Sequence, residues 1–236
     1  MEQVKKRELL ISLIKSKIME LWTAKNLDTM TGDVVVFNTE SLFHYYTDEM
    51  YRNFVNSVDT ILIDGIGLKI ALLMFGLKVK RYNGPDFLRD VLDNSMLPKY
   101  IYGGQIENYN ASNGEVLVDL PFSQNVDFLS EQIKTHVEHY TNEKSLIILS
   151  LGLPKQEKVA SLLRRKLKNR NIRILPVGAA VDYTYGIKVR SSVFWRVIGL
   201  EWLPRLIREP RMLKRLALSV LGLVYLISDV GLGKNS

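Results

Sequence analysis

Asp64 closes the short apolar run Thr60-Ile61-Leu62-Ile63 and is followed at once by Gly65-Ile66-Gly67. A carboxylate at the end of a buried strand is partly desolvated, which is expected to raise its pKa toward that of a useful general base. The two glycines let a substrate approach the backbone closely. Asp64 is therefore a candidate proton acceptor, with a helix N-cap as its competing role. Three other places carry a double reading. Gly152-Leu153-Pro154-Lys155-Gln156-Glu157 opens a helix, where unpaired N–H groups and Lys155 would attract an anion and Gln156 can both donate and accept. Its plainer role is an ordinary turn with a proline-started helix. Asp182, after Val177-Gly178-Ala179-Ala180-Val181, can accept from ribose hydroxyls or a base edge, or can cap a helix. Arg81, in the basic loop 78–85, can hold a diphosphate or belong to a solvated charge run.

The stretch from Gly199 to Arg211 adds a cluster of arginines beside leucines. Read as one helix, it puts Arg208, Arg211 and Arg215 on one side, with Arg205 at the border. Leu203, Leu206, Pro210, Leu213 and Ala217 then lie opposite. The arginine fork suits the paired oxygens of phosphate or carboxylate, so this segment reads as an anion-binding appendage lying beside something apolar. His44, His136 and His139 show no metal-ligand spacing and read as surface or satisfied residues, and no metal site is expected. The chain has no GxxxxGK[ST], GxGxxG, GxSxG or Asp-x-Asp signature. That argues against an NTPase, a dehydrogenase and an esterase.

Alternating apolar strands and amphipathic helices must position these residues. Strands are predicted at 33–37, 60–63, 100–102, 116–118, 146–150 and 172–177. Helices are predicted at 3–22, 40–55, 68–75, 86–94, 128–140 and 155–167. This alternation predicts an α/β, Rossmann-like, mainly parallel sheet flanked by helices, with a helical C-terminal appendage. Residues 1–195 form the predicted core and 196–236 the appendage. Ligands of such sheets bind beyond the carboxyl ends of the strands. Four turns should therefore converge: Asn38-Thr39, Asp64-Gly65, Gly103-Gly104 and Gly152 to Gln156.

The 236 residues carry a formal charge of +7 and a pI near 9.4, which favours an anionic partner. With no cysteine, disulfides and cysteine-held metals are excluded. The N-terminus does not read as a signal peptide. The apolar run Leu216 to Ile227 is well short of the ~20 residues that span a bilayer. A cytoplasmic protein with possible membrane-surface contact is expected.

Together the turns resemble one family. Phe-Asn-Thr-Glu-Ser-Leu at 37–42, Ile-Asp-Gly-Ile-Gly at 63–67 and Arg-Tyr-Asn-Gly-Pro-Asp at 81–86 come first. Leu-Gly-Leu-Pro-Lys-Gln-Glu at 151–157, Val-Gly-Ala-Ala-Val-Asp at 177–182 and the Gly199–Arg211 stretch follow. The order is similar to that of the WecG/TagA/CpsF family of bacterial glycosyltransferases, over roughly residues 33–215. The resemblance implies an inverting, metal-independent transfer with no cofactor. An N-acetylmannosamine-type or related hexose would pass from a UDP-sugar to an undecaprenyl-diphosphate-linked saccharide. The setting would be the cytoplasmic membrane face, in surface polysaccharide or teichoic acid synthesis.

By the same resemblance Asp64 is the general base, and Arg81 and Gln156 contact substrate near the diphosphate. Asn38 and Thr39 would line the sugar pocket, and Gly103, Gly104 and Asp182 the nucleotide side. Arg205, Arg208 and Arg211 would close over the lipid diphosphate. A non-catalytic scaffold of a polysaccharide assembly complex is the alternative. Nucleic acid is not an expected partner, while self-association of the apolar end is plausible.

Overall fold

The computed structural model describes residues 2–18, 28–29, 32–111, 114–140, 144–167, 171–192, 194–195, 201–208 and 212–228. Six strands are described: β1 (Val34–Phe37), β2 (Thr60–Ile63), β3 (Lys99–Tyr102), β4 (Val116–Val118), β5 (Ser145–Leu149) and β6 (Ile172–Pro176). Every ladder among them is parallel, in two groups ordered β1-β2 and β4-β3-β5-β6. β1 runs alongside β6, which places the groups in one layer. Asp33, just ahead of β1, ties the seam. Its Oδ1 accepts from the Ile174 amide at 2.8 Å and its Oδ2 from Arg164 Nε at 2.8 Å. Strands far apart in sequence meet at this seam, and open α/β sheets bind ligands beyond the carboxyl ends of their strands.

The strands are mostly apolar on both sides because both faces of the sheet are covered, with Thr60, Lys99, Ser145 and Arg173 as buried exceptions. Alternate residues enter different cores. Val35, Ile61, Ile147 and Ile174 join one, while Val34, Leu62, Ile148 and Leu175 join the other. The first core is covered by α1 (Glu2–Lys17), α2 (Thr39–Thr47), α3 (Glu49–Ser57), α4 (Ile66–Met74), α6 (Val126–Tyr140) and α7 (Lys155–Lys166). The second is covered by α5 (Gly84–Asn94) and α8 (Ala180–Thr184). The α/β reading holds, and the predicted strands fall within one residue of those observed.

Two elements differ from the periodicity reading. The helix expected over 40–55 is broken at Asp48, whose backbone is extended at φ −123°. Asp48 ends α2 and starts α3, where its Oδ1 accepts from the Tyr51 amide at 3.1 Å. Hydrophobic spacing continues across the break because both helices face one core, so periodicity alone does not reveal it. The first helix ends at Lys17, where Ile18 bridges Ile61 of β2 instead, and the remaining predicted span 19–22 lies outside the described residues.

The C-terminal segment forms α9 (Trp202–Arg208) and α10 (Met212–Ser228). α10 lies directly on α2. A Cβ on Gly222 would meet Thr39 O at 2.4 Å and Phe43 N at 2.7 Å, so only glycine permits this approach. Leu226 is fully buried, and Tyr225 lies against the rings of Phe43 and Tyr46. The start of this helix turns its arginine to the site and its leucine outward, as expected of the anion-binding side. Arg215 reaches inward to Glu40, whereas Leu213 is 60% exposed. Val220, Leu221, Val224 and Ile227 are also exposed. Among the described residues no helix is long and apolar enough to cross a membrane.

Candidate active site

Asp64 stands at the carboxyl end of β2, half-buried, with its amide donating to Phe37 O of β1 at 2.8 Å. The cap of α4 is Gly65, at φ +84° and without a side-chain cap bond. Asp64 thus precedes the cap position, and the competing cap role falls away. Beside it, Asn38 caps α2: its Oδ1 accepts from the Ser41 amide at 3.1 Å, and Ser41 Oγ accepts from the Asn38 amide at 3.1 Å. This reciprocal capping box fixes the turn after β1.

Two cavities meet here. One, of about 410 Å³, runs between the β1 and β2 turns and α9–α10. Its wall is largely apolar, from Ile66, Trp202, Leu206, Leu216, Val220 and Leu223, with Arg81 and Arg215 as cations. The other, of about 670 Å³, extends along the ends of β5 and β6 and the start of α7, past Gly152, Gln156 and Gly178. Asn38, Glu40, Asp64, Glu201 and Arg215 line both. Asp64 belongs to the partition between an apolar cavity and a more polar one, hereafter the polar cavity.

The partition is held by ion pairs and hydrogen bonds. Arg215 Nε donates to buried Glu40 at 2.7 Å, which ties α10 to α2. Asn83 Nδ2 donates to Glu201 at 3.2 Å and Arg190 donates to Asn83 Oδ1 at 2.9 Å, which holds the start of α9 to the loop before α5. In the polar cavity, Gln156 Nε2 donates to Glu157 Oε1 at 2.8 Å. Burial pushes the Glu157 carboxyl up to about 8, opposed by the bond from Gln156 and reinforced by Glu40. Burial likewise pushes His44 down to about 4, against the attraction of Asp48.

Comparison with known families matches residues 12–235 to the glycosyl transferase WecG/TagA/CpsF family. The chain belongs to this family. It is therefore a glycosyltransferase whose match covers nearly the whole sequence, including the C-terminal helices that line the site.

Of the residues singled out in this glycosyltransferase, Asn38, Thr39, Asp64 and Arg81 line the apolar cavity. Asn38, Asp64 and Gln156 line the polar one. Gly103, Gly104 and Asp182 line neither. Gly103 lies against Leu151 and Ser150, while Gly104 and Asp182 flank Tyr109, whose hydroxyl donates to Asp182 Oδ1 at 2.5 Å and would lie 2.2 Å from a Cβ on Gly104. Asp182 also pairs with Lys188 at 2.8 Å. It is not a cap, since Ala179 holds that position on α8.

Lys155 leaves the site to donate to Ser123 O at 3.1 Å. Arg205 and Arg208 fall within α9, with their side chains outside the described residues, as is all of Arg211. His44 is neither a surface nor a satisfied residue: it is buried, and its Nε2 has no partner among the described residues. Sequence reasoning missed Glu40, Asn83, Tyr109, Glu157 and Glu201. Glu40 and Glu157 each adjoin a residue already singled out, which was the available signal. Glu201 lies inside the Gly199–Arg211 stretch already noted for its arginines, and nothing local marks Tyr109.

Proposed function

We propose that this glycosyltransferase moves a hexose, of the N-acetylmannosamine type or a relative, from a UDP-sugar to a polyprenyl-diphosphate-linked saccharide with inversion. The observation that carries this reading is the position of Asp64 on the wall shared by the two cavities. The polar cavity, at the ends of β5 and β6, suits a nucleotide-linked donor. The apolar cavity, with Arg81 and Arg215, suits an acceptor that has a diphosphate and a lipid tail.

In this reaction the acceptor hydroxyl oxygen attacks the anomeric carbon and gives its proton to the Asp64 carboxylate. The bond from that carbon to the diphosphate breaks, and UDP departs with the electron pair. Arg81 and Arg215 are the cations at hand for diphosphate charge. No divalent cation enters this scheme, so transfer is expected to persist in EDTA. The exposed apolar residues of α10 suit attachment to the cytoplasmic membrane surface.

The test is a UDP-release screen over several UDP-sugars with a short-chain lipid-diphosphate N-acetylglucosamine acceptor. Asp64→Asn should cut transfer by ~10²–10⁴-fold while UDP-sugar still binds. Near-normal turnover of that variant removes Asp64 from the mechanism. Replacing Val220 and Val224 by serine should reduce flotation with anionic liposomes; unchanged flotation argues against attachment through α10. The engagement of Asp182 by Tyr109 favours a second reading, a non-catalytic binding member of an assembly complex. Its signature would be UDP-sugar binding without UDP release for any acceptor.

A further inference from the structure

Gln156 and Glu157 begin α7 as neighbours in sequence, and both are almost wholly buried, at 5% and 0% exposure. Gln156 Oε1 and Glu157 Oε2 each lack a hydrogen-bond partner among the described residues. Native proteins rarely leave buried polar atoms unpaired, and an exception beside a ligand cavity indicates a partner that arrives with the ligand. Both residues line the polar cavity, and Gln156 Oε1 faces Gly178, whose missing side chain leaves it room: a Cβ there would stand 3.1 Å away.

No cation among the described residues pairs with Glu157. Arg215 is given to Glu40, and Lys158 to Asp48. An ionised carboxylate at full burial with no counter-ion is strongly disfavoured. The groups around it offer no relief. Glu40 of α2 adds negative charge, His44 of the same helix is held neutral, and the Tyr51 hydroxyl of α3 stays protonated, pushed well up first by its burial. The raised value at Glu157 agrees with this geometry.

We propose that Glu157 works uncharged as a positioning residue: its Oε1 holds the Gln156 amide NH₂, so that the Gln156 carbonyl faces the polar cavity and accepts from a hydroxyl or amide N–H of the bound sugar. The proposal rests on the donor-cavity reading above. It adds a requirement that reading lacks, namely that the sugar presents a hydrogen-bond donor at this spot and that donor binding weakens when Glu157 ionises, because a second buried negative charge beside Glu40 then repels the donor diphosphate.

Two measurements test it. With UDP-N-acetylmannosamine and the lipid-diphosphate acceptor, Glu157→Ala should raise the donor KM about tenfold with a smaller change in kcat. Glu157→Gln, which still accepts from Gln156, should recover most of that loss. Wild-type kcat/KM should fall as pH rises through about 8, and this alkaline limb should be missing in Glu157→Gln. A Glu157→Gln variant as impaired as the alanine one, or one retaining the alkaline limb, overturns the proposal. Difference infrared spectra of wild type minus Glu157→Gln need no turnover. A protonated-carboxyl band at pH 7 that fades above pH 8 is expected, and a carboxylate band at pH 7 overturns the proposal even where the protein transfers no sugar. Failure of wild type to turn over any donor, with the infrared band present, counts against the glycosyl-transfer reading alone.

Discussion

The carboxyl edge of the sheet has two halves with opposite treatment of polar groups. Beyond β3, Tyr109 fills the space over Gly104, stacks on Tyr185 at 4.7 Å and gives its hydroxyl to Asp182. The Tyr185 hydroxyl in turn goes to Glu115. There the acceptors Asp182 and Glu115 are satisfied from within the chain, and the tyrosine ring occupies the space over Gly104. Beyond β1, β2, β5 and β6 lie two cavities, and buried atoms of His44, Gln156 and Glu157 have no partner among the described residues. Internal satisfaction stabilises a fold, whereas unmet hydrogen-bonding capacity around a cavity is what a ligand can use. The closed half commits its polar groups to the fold, and the open half leaves them for a ligand.

The sharpest way to break this contrast is at Gly104. Its φ of +88° is a conformation that side-chain-bearing residues rarely adopt, and a Cβ would collide with the Tyr109 hydroxyl. Gly104→Ala should lower unfolding stability by ~2–4 kcal/mol, seen as a fall in the urea midpoint. The donor KM of the folded fraction should be unchanged. A stable variant with altered KM would instead make the closed half part of the substrate site.

Glu157 gives the next largest effect, and one of opposite character. Its folded pKa near 8 lies above the ordinary glutamate value of 4.5, so the native state binds the proton more tightly than the unfolded state. The stability this contributes is complete below pH 4.5 and is lost as pH rises to about 8. Glu157→Gln lacks that dependence. Relative to wild type it should gain on the order of a few kcal/mol between pH 5 and pH 8, by chemical denaturation at each pH. Parallel pH–stability curves would mean that Glu157 is ionised in the fold.

Arg215→Met keeps much of the side-chain bulk but leaves Glu40 buried without its cation. Because Arg215 is itself partly exposed, the expected cost is only ~1–2 kcal/mol. Transfer should suffer more than stability, since Arg215 lines both cavities. Equal losses in both would assign it a purely structural role.

How far the sequence revealed this division follows from the range of each signal. The strands were legible because a run such as Leu146-Ile147-Ile148-Leu149 is apolar on both faces. Asp64 was legible because a polar residue closing such a run stands at the sheet edge. The break at Asp48 was hidden, since a cap bond leaves the hydrophobic spacing intact. The pairing of Arg215 with Glu40 was hidden too. It depends on Gly222 letting α10 descend onto α2, a contact across 183 positions of sequence that no local pattern encodes. Gly104 and Asp182 satisfied the same local rule as Asp64, yet Tyr109 takes the space beside them.

Tyr109→Phe is the mildest and most discriminating change. It removes one hydroxyl, which donates to Asp182 and accepts from the Gln105 amide at 3.0 Å, and keeps the ring on Tyr185. Asp182 retains its ion pair with Lys188, so its carboxylate is not abandoned. The cost should be close to that of a single hydrogen bond, ~1 kcal/mol, read from the denaturant midpoint. If the closed half only supports the fold, UDP-sugar affinity stays within twofold of wild type. If Tyr109 instead holds Asp182 away from a nucleotide, freeing the carboxylate should tighten UDP-sugar binding several-fold in a calorimetric titration. That result would move the boundary between the two halves from β5 to β3.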